Sequence, residues 1–155
     1  MCTESRNQSE IAKELCCLGP DLVRQVVRFM APLHDQFDLT PAQSFLLTHL
    51  YQHGPATAGT IAEWMGITSG PVTNLTARFV RRGLLERRPD VADKRISWFA
   101  LTESGRLFAQ RFIAANEDLW KGVIAAMDAR LVAQAMPLLK DLSAILAGLT
   151  DAATS

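Results

Sequence analysis

The chain has 155 residues, of which 48% are hydrophobic, 21% charged and 7% aromatic. This composition is typical of an ordinary globular protein and excludes disorder throughout. Sixteen Lys and Arg balance sixteen Asp and Glu, and the resulting net charge of zero argues, taken alone, against a polyanionic partner. The positive charge is nevertheless local. From Arg78 to Arg95 there are seven basic and three acidic residues, whereas Leu39 to Ala77 contains one charged residue, Glu63.

Cysteine usage and hydropathy bear on the compartment. The three cysteines, Cys2, Cys16 and Cys17, are too few and too clustered for a secreted disulfide framework. No apolar run approaches the roughly eighteen residues of a membrane span. The start of the chain, from Met1 to Glu10, lacks the basic-then-apolar order of a signal peptide. We therefore expect a cytoplasmic protein without membrane association.

Apolar periodicity predicts helices at both ends of the chain. A short helix from Ser9 to Leu18 is expected to end at Gly19-Pro20, and a second to run from about Asp21 to Gln36 with a kink at Pro32. The chain beyond residue 102 is predicted to be helical again. The first of its two helices is expected to end at about residue 127. The second is expected to begin after an N-cap at Asp128 and to end at residue 147.

The middle of the chain carries clear start and stop signals. Three helices are predicted after N-cap threonines: Pro41–His53 after Thr40, Ala58–Met65 after Thr57, and a helix from Thr68 to Gly83 with a core face of Val72, Leu75, Phe79 and Val80. Two β-prone runs, 84–88 and 96–101, flank a turn-rich loop and predict a hairpin.

A short helix, a glycine-marked turn and a second helix form a helix-turn-helix, here followed by a hairpin with a basic tip, which predicts double-stranded DNA as the partner. Small polar side chains at the start of the second helix suit base edges in the major groove: Thr68, Ser69, Thr73 and Asn74. Arg78 lies further along this helix. Arg88 and the other hairpin arginines are expected to reach phosphates or the minor groove.

Short motifs in a fixed order make the chain resemble the MarR family of winged helix-turn-helix regulators from about residue 21 to residue 148. They are LTPAQ at 39–43, IAEWMGI at 61–67, VTNL at 72–75, GLLERR at 83–88, DKR at 93–95 and ALTESG at 100–105. Each motif is weak alone, but the series is specific when found in this order.

The resemblance implies a homodimer whose first and last helices intertwine and whose two lobes read a pseudo-palindromic operator. It also implies a cleft between the lobe and the dimerisation helices for a small-molecule effector, for which phenolic compounds and peroxides are the classes to screen. It also implies that Asp93 orients Arg95 toward the minor groove while Lys94 contacts a phosphate. Many family members carry Arg where this chain has Asn74. Because Asn prefers adenine, we expect an A·T-leaning half-site.

The expected fold class is therefore mostly α, an α+β winged helix, divided into four parts. These are an N-terminal extension and dimerisation helix (1–38), the DNA-binding lobe (39–102), C-terminal dimerisation helices (103–149) and a tail (150–155). The expected function is that of a transcriptional repressor released by a small molecule. The sequence contains no nucleophile elbow, phosphate loop or dinucleotide fingerprint, so neither an enzyme nor a cofactor is expected.

Two alternative functions are open. One is organic hydroperoxide sensing through Cys16, which lies 24 residues before Thr40, close to the spacing in one branch of the family. Against it, Tyr51 is the only tyrosine, and a helix break at Gly19-Pro20 would fall where that branch continues its helix. The cysteines are otherwise buried or incidental. The other alternative is a dimeric interaction module that does not bind DNA.

Two further groups of residues have ordinary structural interpretations. We expect Trp64, Trp98 and Trp120 in the core rather than in a ligand cleft. His49 and His53 are spaced i, i+4 on one helix, but no Cys or carboxylate completes a metal site in the sequence. No metal is therefore expected.

Overall fold

The structure, a computed structural model, describes residues 7–154. The elements in this range are α1 (Gln8–Phe37), α2 (Pro41–His53), β1 (Ala56–Thr57), α3 (Ala58–Met65), α4 (Ser69–Arg81), β2 (Leu85–Pro89), β3 (Ser97–Leu101), α5 (Glu103–Ala125) and α6 (Ala129–Thr154). The mostly helical fold class with a small antiparallel sheet is confirmed. The chain divides into two compact units between Ile113 and Ala114.

Helix α1 is continuous, so the predicted break at Gly19-Pro20 is wrong. The helix begins after Asn7, whose side chain accepts a hydrogen bond from the backbone N–H of Ser9 at 3.2 Å. An internal proline removes one N–H bond and displaces the carbonyl four residues earlier, which bends a helix without necessarily ending it. The apolar periodicity continues on both sides of Pro20 and of Pro32, and the helix passes through both.

The last turn of α1 is anchored in the first unit. The Phe37 ring packs edge-on against Phe108 at 5.6 Å and Phe112 at 5.3 Å between ring centroids. His34 is buried, and its Nε2 lies 3.1 Å from Ser44 Oγ in α2. These contacts fix the end of α1 against α2 and α5.

The helix-turn-helix and the hairpin form around a three-stranded sheet in the order β1-β3-β2. The β2 and β3 strands are antiparallel, with Leu85 opposite Leu101 and Pro89 opposite Ser97. The predicted hairpin is therefore present. Strand β1 was not predicted from the sequence, since a two-residue strand carries no alternating pattern.

The second unit exposes most of its apolar residues. Between 114 and 150 no residue is buried, and α6 exposes eight large apolar side chains: Leu131, Met136, Leu138, Leu139, Leu142, Ile145, Leu146 and Leu149. The predicted end at residue 147 is wrong, because α6 continues through Gly148. By length and composition alone, the 22-residue stretch Ala129–Thr150 is also apolar enough to cross a membrane, contrary to expectation.

Gly105 allows the first turn of α5 to pack closely against the backbone of Leu84. A Cβ at this position would overlap the Leu84 carbonyl and lie 3.2 Å from Leu101 Cδ2. The Thr102 hydroxyl donates to the Gly83 carbonyl at 2.7 Å, and the Gly105 N–H donates to that hydroxyl at 3.0 Å. The glycine is therefore required by a close backbone approach.

We expect Gly105→Ala to lower the free energy of unfolding by more than about 3 kcal/mol, because the rigid backbone of Leu84 cannot yield to the new methyl group. Gly122→Ala in the same helix is the matched control. No heavy atom lies within 4 Å of a Cβ built there. The control should gain up to about 1 kcal/mol from helix propensity. Urea unfolding at equal protein concentrations checks both, and equal stability of the two variants would contradict the prediction.

Candidate nucleic-acid interface

The turn of the helix-turn-helix is set by glycine. Helix α3 ends at Gly66, which adopts the left-handed conformation with φ 63°. The Ile67 N–H then donates to the Ala62 carbonyl at 2.9 Å. The chain reverses within Gly66, Ile67 and Thr68, and α4 begins at Ser69, as the sequence predicted.

Helix α4 is held in the lobe by a buried stripe. Val72, Thr76 and Phe79 are buried at 0%, 1% and 1% exposure. The Thr76 hydroxyl donates to the Val72 carbonyl at 2.8 Å, which satisfies it without solvent. The predicted core residue Val80 is instead 39% exposed. The buried residues follow the i, i+4, i+7 spacing of a helix face. The sequence did not predict this face because Thr76 is polar and was not counted among the core residues.

The polar side chains predicted to face bases lie together at the start of α4. Thr68, Ser69, Thr73 and Asn74 are all exposed. Thr68 occupies the N-cap position as predicted, but its side chain makes no capping hydrogen bond. The first N–H groups of α4 and the Thr68 hydroxyl are therefore available to an external acceptor such as a phosphate oxygen.

The wing strands hold their arginines by different partners. Arg87 donates two hydrogen bonds to Ser97 Oγ, from Nε at 3.0 Å and from Nη2 at 2.8 Å. The exposed Arg88 forms an ion pair with Glu86 on the same strand. Both guanidinium groups are thus directed by strand neighbours.

One carboxylate organises the loop at the wing tip. Asp90 Oδ1 accepts from the N–H groups of Ala92 at 2.8 Å and Asp93 at 3.0 Å. Its Oδ2 accepts from the Trp98 indole N–H at 2.8 Å. The Trp98 hydrogen bond, followed by the two backbone N–H groups, holds the pKa of the Asp90 carboxyl below its ordinary value.

The predicted pair Asp93 and Arg95 is in contact. Arg95 Nε donates to Asp93 Oδ1 and Nη2 to Oδ2, both at 3.0 Å, while the Arg95 backbone N–H also donates to Oδ1. The Arg95 hydrogen bonds lower the pKa of the Asp93 carboxyl. The Arg95 side chain is still 91% exposed. Lys94, between them, is exposed as well.

Arg78 differs from Arg88 and Arg95 in the location of its ion-pair partner, because its guanidinium pairs with the Asp38 carboxylate at the end of α1. This ion pair holds the pKa of the Asp38 carboxyl below its ordinary value. A DNA contact by Arg78 stays a prediction, and it would require release from Asp38. Neither the role of Asp38 nor that of Asp90 was predicted from the sequence. Asp90 starts a turn-rich loop, where Asp commonly bonds the backbone, but nothing local pointed to Asp38.

The tryptophans do not lie in the core, so that expectation is wrong. Trp64 is 46% exposed and stacks on His49 with 4.0 Å between ring centroids. Trp120 is also exposed, and Trp98 is half-buried. Burial and then the neighbouring His53 lower the pKa of His49. Among residues 7–154 no three His, Cys, Asp or Glu side chains come together as metal ligands.

Both described cysteines, Cys16 and Cys17, are free and exposed on α1, so the interpretation of buried thiols is wrong for them. Cys2 lies outside the described residues. The helix break that argued against a sensing role for Cys16 is also absent, since α1 continues through Gly19-Pro20.

The Asp90–Trp98 hydrogen bond should be visible in the titration of the wing. We expect Trp98→Phe to raise the pKa of Asp90 toward its ordinary value. A lowered folded pKa stabilises the fold above the ordinary Asp value, and this stabilisation is lost as the pH falls through the folded pKa. The variant should therefore lose less stability than the parent chain between about pH 5 and pH 3. Carboxyl NMR titration and urea unfolding measure both quantities.

Trp120→Phe is the control for the loss of an indole. An Asp90 titration unchanged in Trp98→Phe would contradict the assignment of the hydrogen bond.

Comparison with known proteins identifies the lobe. Residues 39–97 match the MarR family. The organic hydroperoxide resistance transcriptional regulator of Bacillus subtilis (strain 168) is 27% identical over 104 residues, which cover 67% of this chain and 71% of that protein. The HTH-type transcriptional repressor MdtR of the same organism is 30% identical over 81 residues. The alignment spans about half of each chain, 52% in both cases.

The solved structures agree with this fold. Wild-type MarR from E. coli in its apo form matches with a TM-score of 0.72 and 24% identity over 83% of this chain and 96% of that chain. This likeness confirms the winged-helix fold. Members of the MarR family are transcriptional regulators and not enzymes, so the expectation of a non-enzymatic protein is confirmed. Residues 39–97 therefore form a lobe that matches the MarR family of winged helix-turn-helix transcriptional regulators in sequence and in fold.

Proposed function

We propose that this chain is a repressor that binds a pseudo-palindromic DNA operator as a homodimer and is released by a small molecule. The observation that carries the proposal is the exposed polar start of α4 on the same lobe as a wing whose tip presents Arg95, with Asp93 orienting it. A helix N-terminus in the major groove and an arginine in the neighbouring minor groove are complementary parts of one interface.

Base recognition is assigned to the first two turns of α4. Thr73 and Asn74 are exposed there, and an Asn side chain can donate to and accept from one adenine edge. Thr68 and Ser69 lie at the helix start, where hydroxyls and N–H groups suit a phosphate oxygen. This division predicts an A·T-leaning half-site.

Sequence-independent affinity is assigned to the wing. Lys94 and Arg88 are exposed cations suited to phosphates, and Arg95 is suited to the minor groove, where negative potential is concentrated. The ion pair with Asp93 restricts the Arg95 side chain before binding, which reduces the entropy lost on contact.

The proposed dimer uses apolar helix faces that a lone chain leaves exposed. In α1 the exposed large apolar side chains are Ile11, Leu15, Leu18, Leu22, Val23, Val27 and Phe29, and α6 exposes a further eight. Exposed apolar patches of this kind are typical of partner surfaces. We assign residues 1–38 and 103–149 to dimerisation, 39–102 to DNA binding and 150–155 to a tail. A DNA-bound dimer would also place the chain in the cytoplasm.

The DNA assignment makes opposite predictions for the wing and for α4. Arg95→Ala and Lys94→Ala should weaken binding to a selected duplex and to a scrambled duplex alike, and Lys94→Ala should reduce the log–log salt slope by about 0.9. Asn74→Ala should change which sequences a binding-site selection recovers. Fluorescence anisotropy measures the affinities.

Lys121→Ala, which removes an exposed lysine paired with Asp118, is the control for lost charge. Binding by the parent chain only at very low salt would instead favour an interaction module that does not use DNA. A selection that recovered only G·C-rich half-sites would contradict the role of Asn74.

A small phenolic effector is supported by a cavity of about 270 Å³ between α4 and the wing, whose lining includes Thr73, Val80, Arg81, Arg87 and Phe99. Its largely apolar lining suits an aromatic ring. Since Thr73 is also a proposed base contact, a ligand in this cavity would compete with DNA.

A second candidate function is peroxide sensing by Cys16. It is favoured by the exposure of Cys16, by the continuity of α1 and by similarity to a regulator named for organic hydroperoxide resistance. In this reaction the Cys16 thiolate attacks the peroxide oxygen, the O–O bond breaks, and protonation of the leaving alkoxide gives a sulfenic acid and an alcohol.

One release experiment separates the two routes. A complex with the selected duplex is treated with 4-hydroxybenzoate or with cumene hydroperoxide, using the parent chain, Cys16→Ser and Cys17→Ser. Ligand release predicts that 4-hydroxybenzoate dissociates all three complexes. Thiol sensing predicts that the peroxide dissociates every complex except Cys16→Ser. If peroxide treatment leaves the parent chain and Cys16→Ser indistinguishable, the sensing hypothesis is abandoned.

A further inference from the structure

Two arginines near the end of α4 contact residues outside the helix-turn-helix. The Arg78 guanidinium forms an ion pair with the Asp38 carboxylate. Arg82 Nη1 lies 3.5 Å from the Asp38 carbonyl oxygen, and the Arg82 guanidinium carbon lies 4.9 Å from the ring centroid of Phe108 in α5. The last turns of α4 are therefore in contact with the end of α1 and with α5.

The backbone of Asp38 is a fixed anchor for these contacts. Asp38 ends α1 in the left-handed conformation, with φ 55° and ψ 51°. Its N–H donates to the Asp35 carbonyl at 3.1 Å, and the next N–H, of Leu39, donates to His34 at 2.9 Å. Leu39 and Phe37, on either side of Asp38, are both buried. The carboxylate is thus mobile only by its own side-chain torsions.

The Asp38–Arg78 ion pair is too exposed to act mainly on stability. The Arg78 side chain is 36% exposed and that of Asp38 is 70% exposed. Exposed ion pairs contribute little to folding, because solvent screens them. The Asp38–Arg78 ion pair has a larger effect on the charge that α4 presents to a ligand than on the free energy of unfolding. An ionised Asp38 neutralises Arg78, which lies on the same helix as the proposed base contacts, and any DNA phosphate would have to compete with that carboxylate.

We propose that Asp38 is a positioning residue for DNA recognition, which holds Arg78 away from phosphates and fixes α4 against the end of α1. This inference rests on the proposed DNA-binding function. Its consequence is selectivity: the Asp38 carboxylate lowers affinity for arbitrary DNA by withholding one cation, and it supports the α4 orientation that the operator requires. Arg78 is then a partner of Asp38 and not an operator contact.

Asp38→Asn tests the proposal with little change of shape, since Asn also tolerates the left-handed conformation. The probes are the duplex selected by the parent chain and a scrambled duplex of equal length. We expect the variant to bind the scrambled duplex about threefold to tenfold more tightly at low salt, with a log–log salt slope steeper by about 0.9, the value for one additional phosphate contact. Affinity for the selected duplex should not rise, so the ratio of the two affinities falls.

Two further variants separate this mechanism from a change of net charge or of fold. Asp118→Asn removes another exposed carboxylate, the partner of Lys121, and should leave the salt slope unchanged. Arg78→Gln should lower selectivity without raising affinity for the scrambled duplex. In an Arg78→Gln background, Asp38→Asn should have no additional effect, since the two residues act as a pair. Arg78→Gln also keeps the test valid if Asp38→Asn does not fold.

Equal salt slopes for the parent chain and Asp38→Asn, or equal effects of Asp38→Asn and Asp118→Asn, would overturn the role of Asp38 while leaving DNA binding intact. Failure of the parent chain to select any duplex would overturn the proposed function, and the role of Asp38 with it.

Discussion

The positions of α4 and of the wing, which consists of β2, β3 and the loop between them, both depend on the close backbone contact between Leu84 and Gly105. At this point α4 has just ended, β2 is about to begin, and the chain returns from β3 into α5. The Thr102 N–H donates to the Leu84 carbonyl at 3.1 Å, and the Thr102 hydroxyl donates to Gly83. These hydrogen bonds fix both ends of the hairpin. The loop at the wing tip can therefore change conformation without changing the position at which β2 and β3 join the rest of the lobe.

Acidic residues offset part of the positive charge of the basic segment from Arg78 to Arg95. Several cations of the basic segment have an assigned partner: Arg95 has Asp93, Arg88 has Glu86, and Arg78 has an acid from α1. The surface formed by this segment is therefore less positive than a count of its arginines implies. Acidic neighbours orient some of these arginines and neutralise others.

The sequence predicted the lobe well because its element ends are marked by residues with local chemistry. Thr40 forms a capping box with Gln43, and Gly66 and Gly83 adopt positive φ at two of the predicted helix ends. Local signals were misleading at Gly19-Pro20, where the continuing apolar pattern outweighed the proline. The candidate site was predicted in the same uneven way. Exposed polar residues near a helix start are visible in the sequence, and so is the short-range pair of Asp93 and Arg95.

Partners distant in the sequence were not predictable. The Asp38–Arg78 ion pair joins residues 40 positions apart, and exposed charges carry no pattern that identifies a partner. The same is true of Trp98, whose indole bonds a carboxylate across the hairpin, where its size alone had indicated the core. The sequence therefore predicted which residues are polar and exposed on the lobe, but not which of their charged groups form ion pairs.

The continuity of α1 has a mechanical consequence. Thirty helical residues at about 1.5 Å each give a rod of about 45 Å, whose last turn is packed in the lobe while most of its length is exposed. A tilt of about 5° at the packed end moves the far end by about 4 Å. The reverse also holds, because a displacement of the exposed end of α1 tilts the packed end and so changes the orientation of Asp38. Pro20 and Pro32 are the points where that rod is most easily bent.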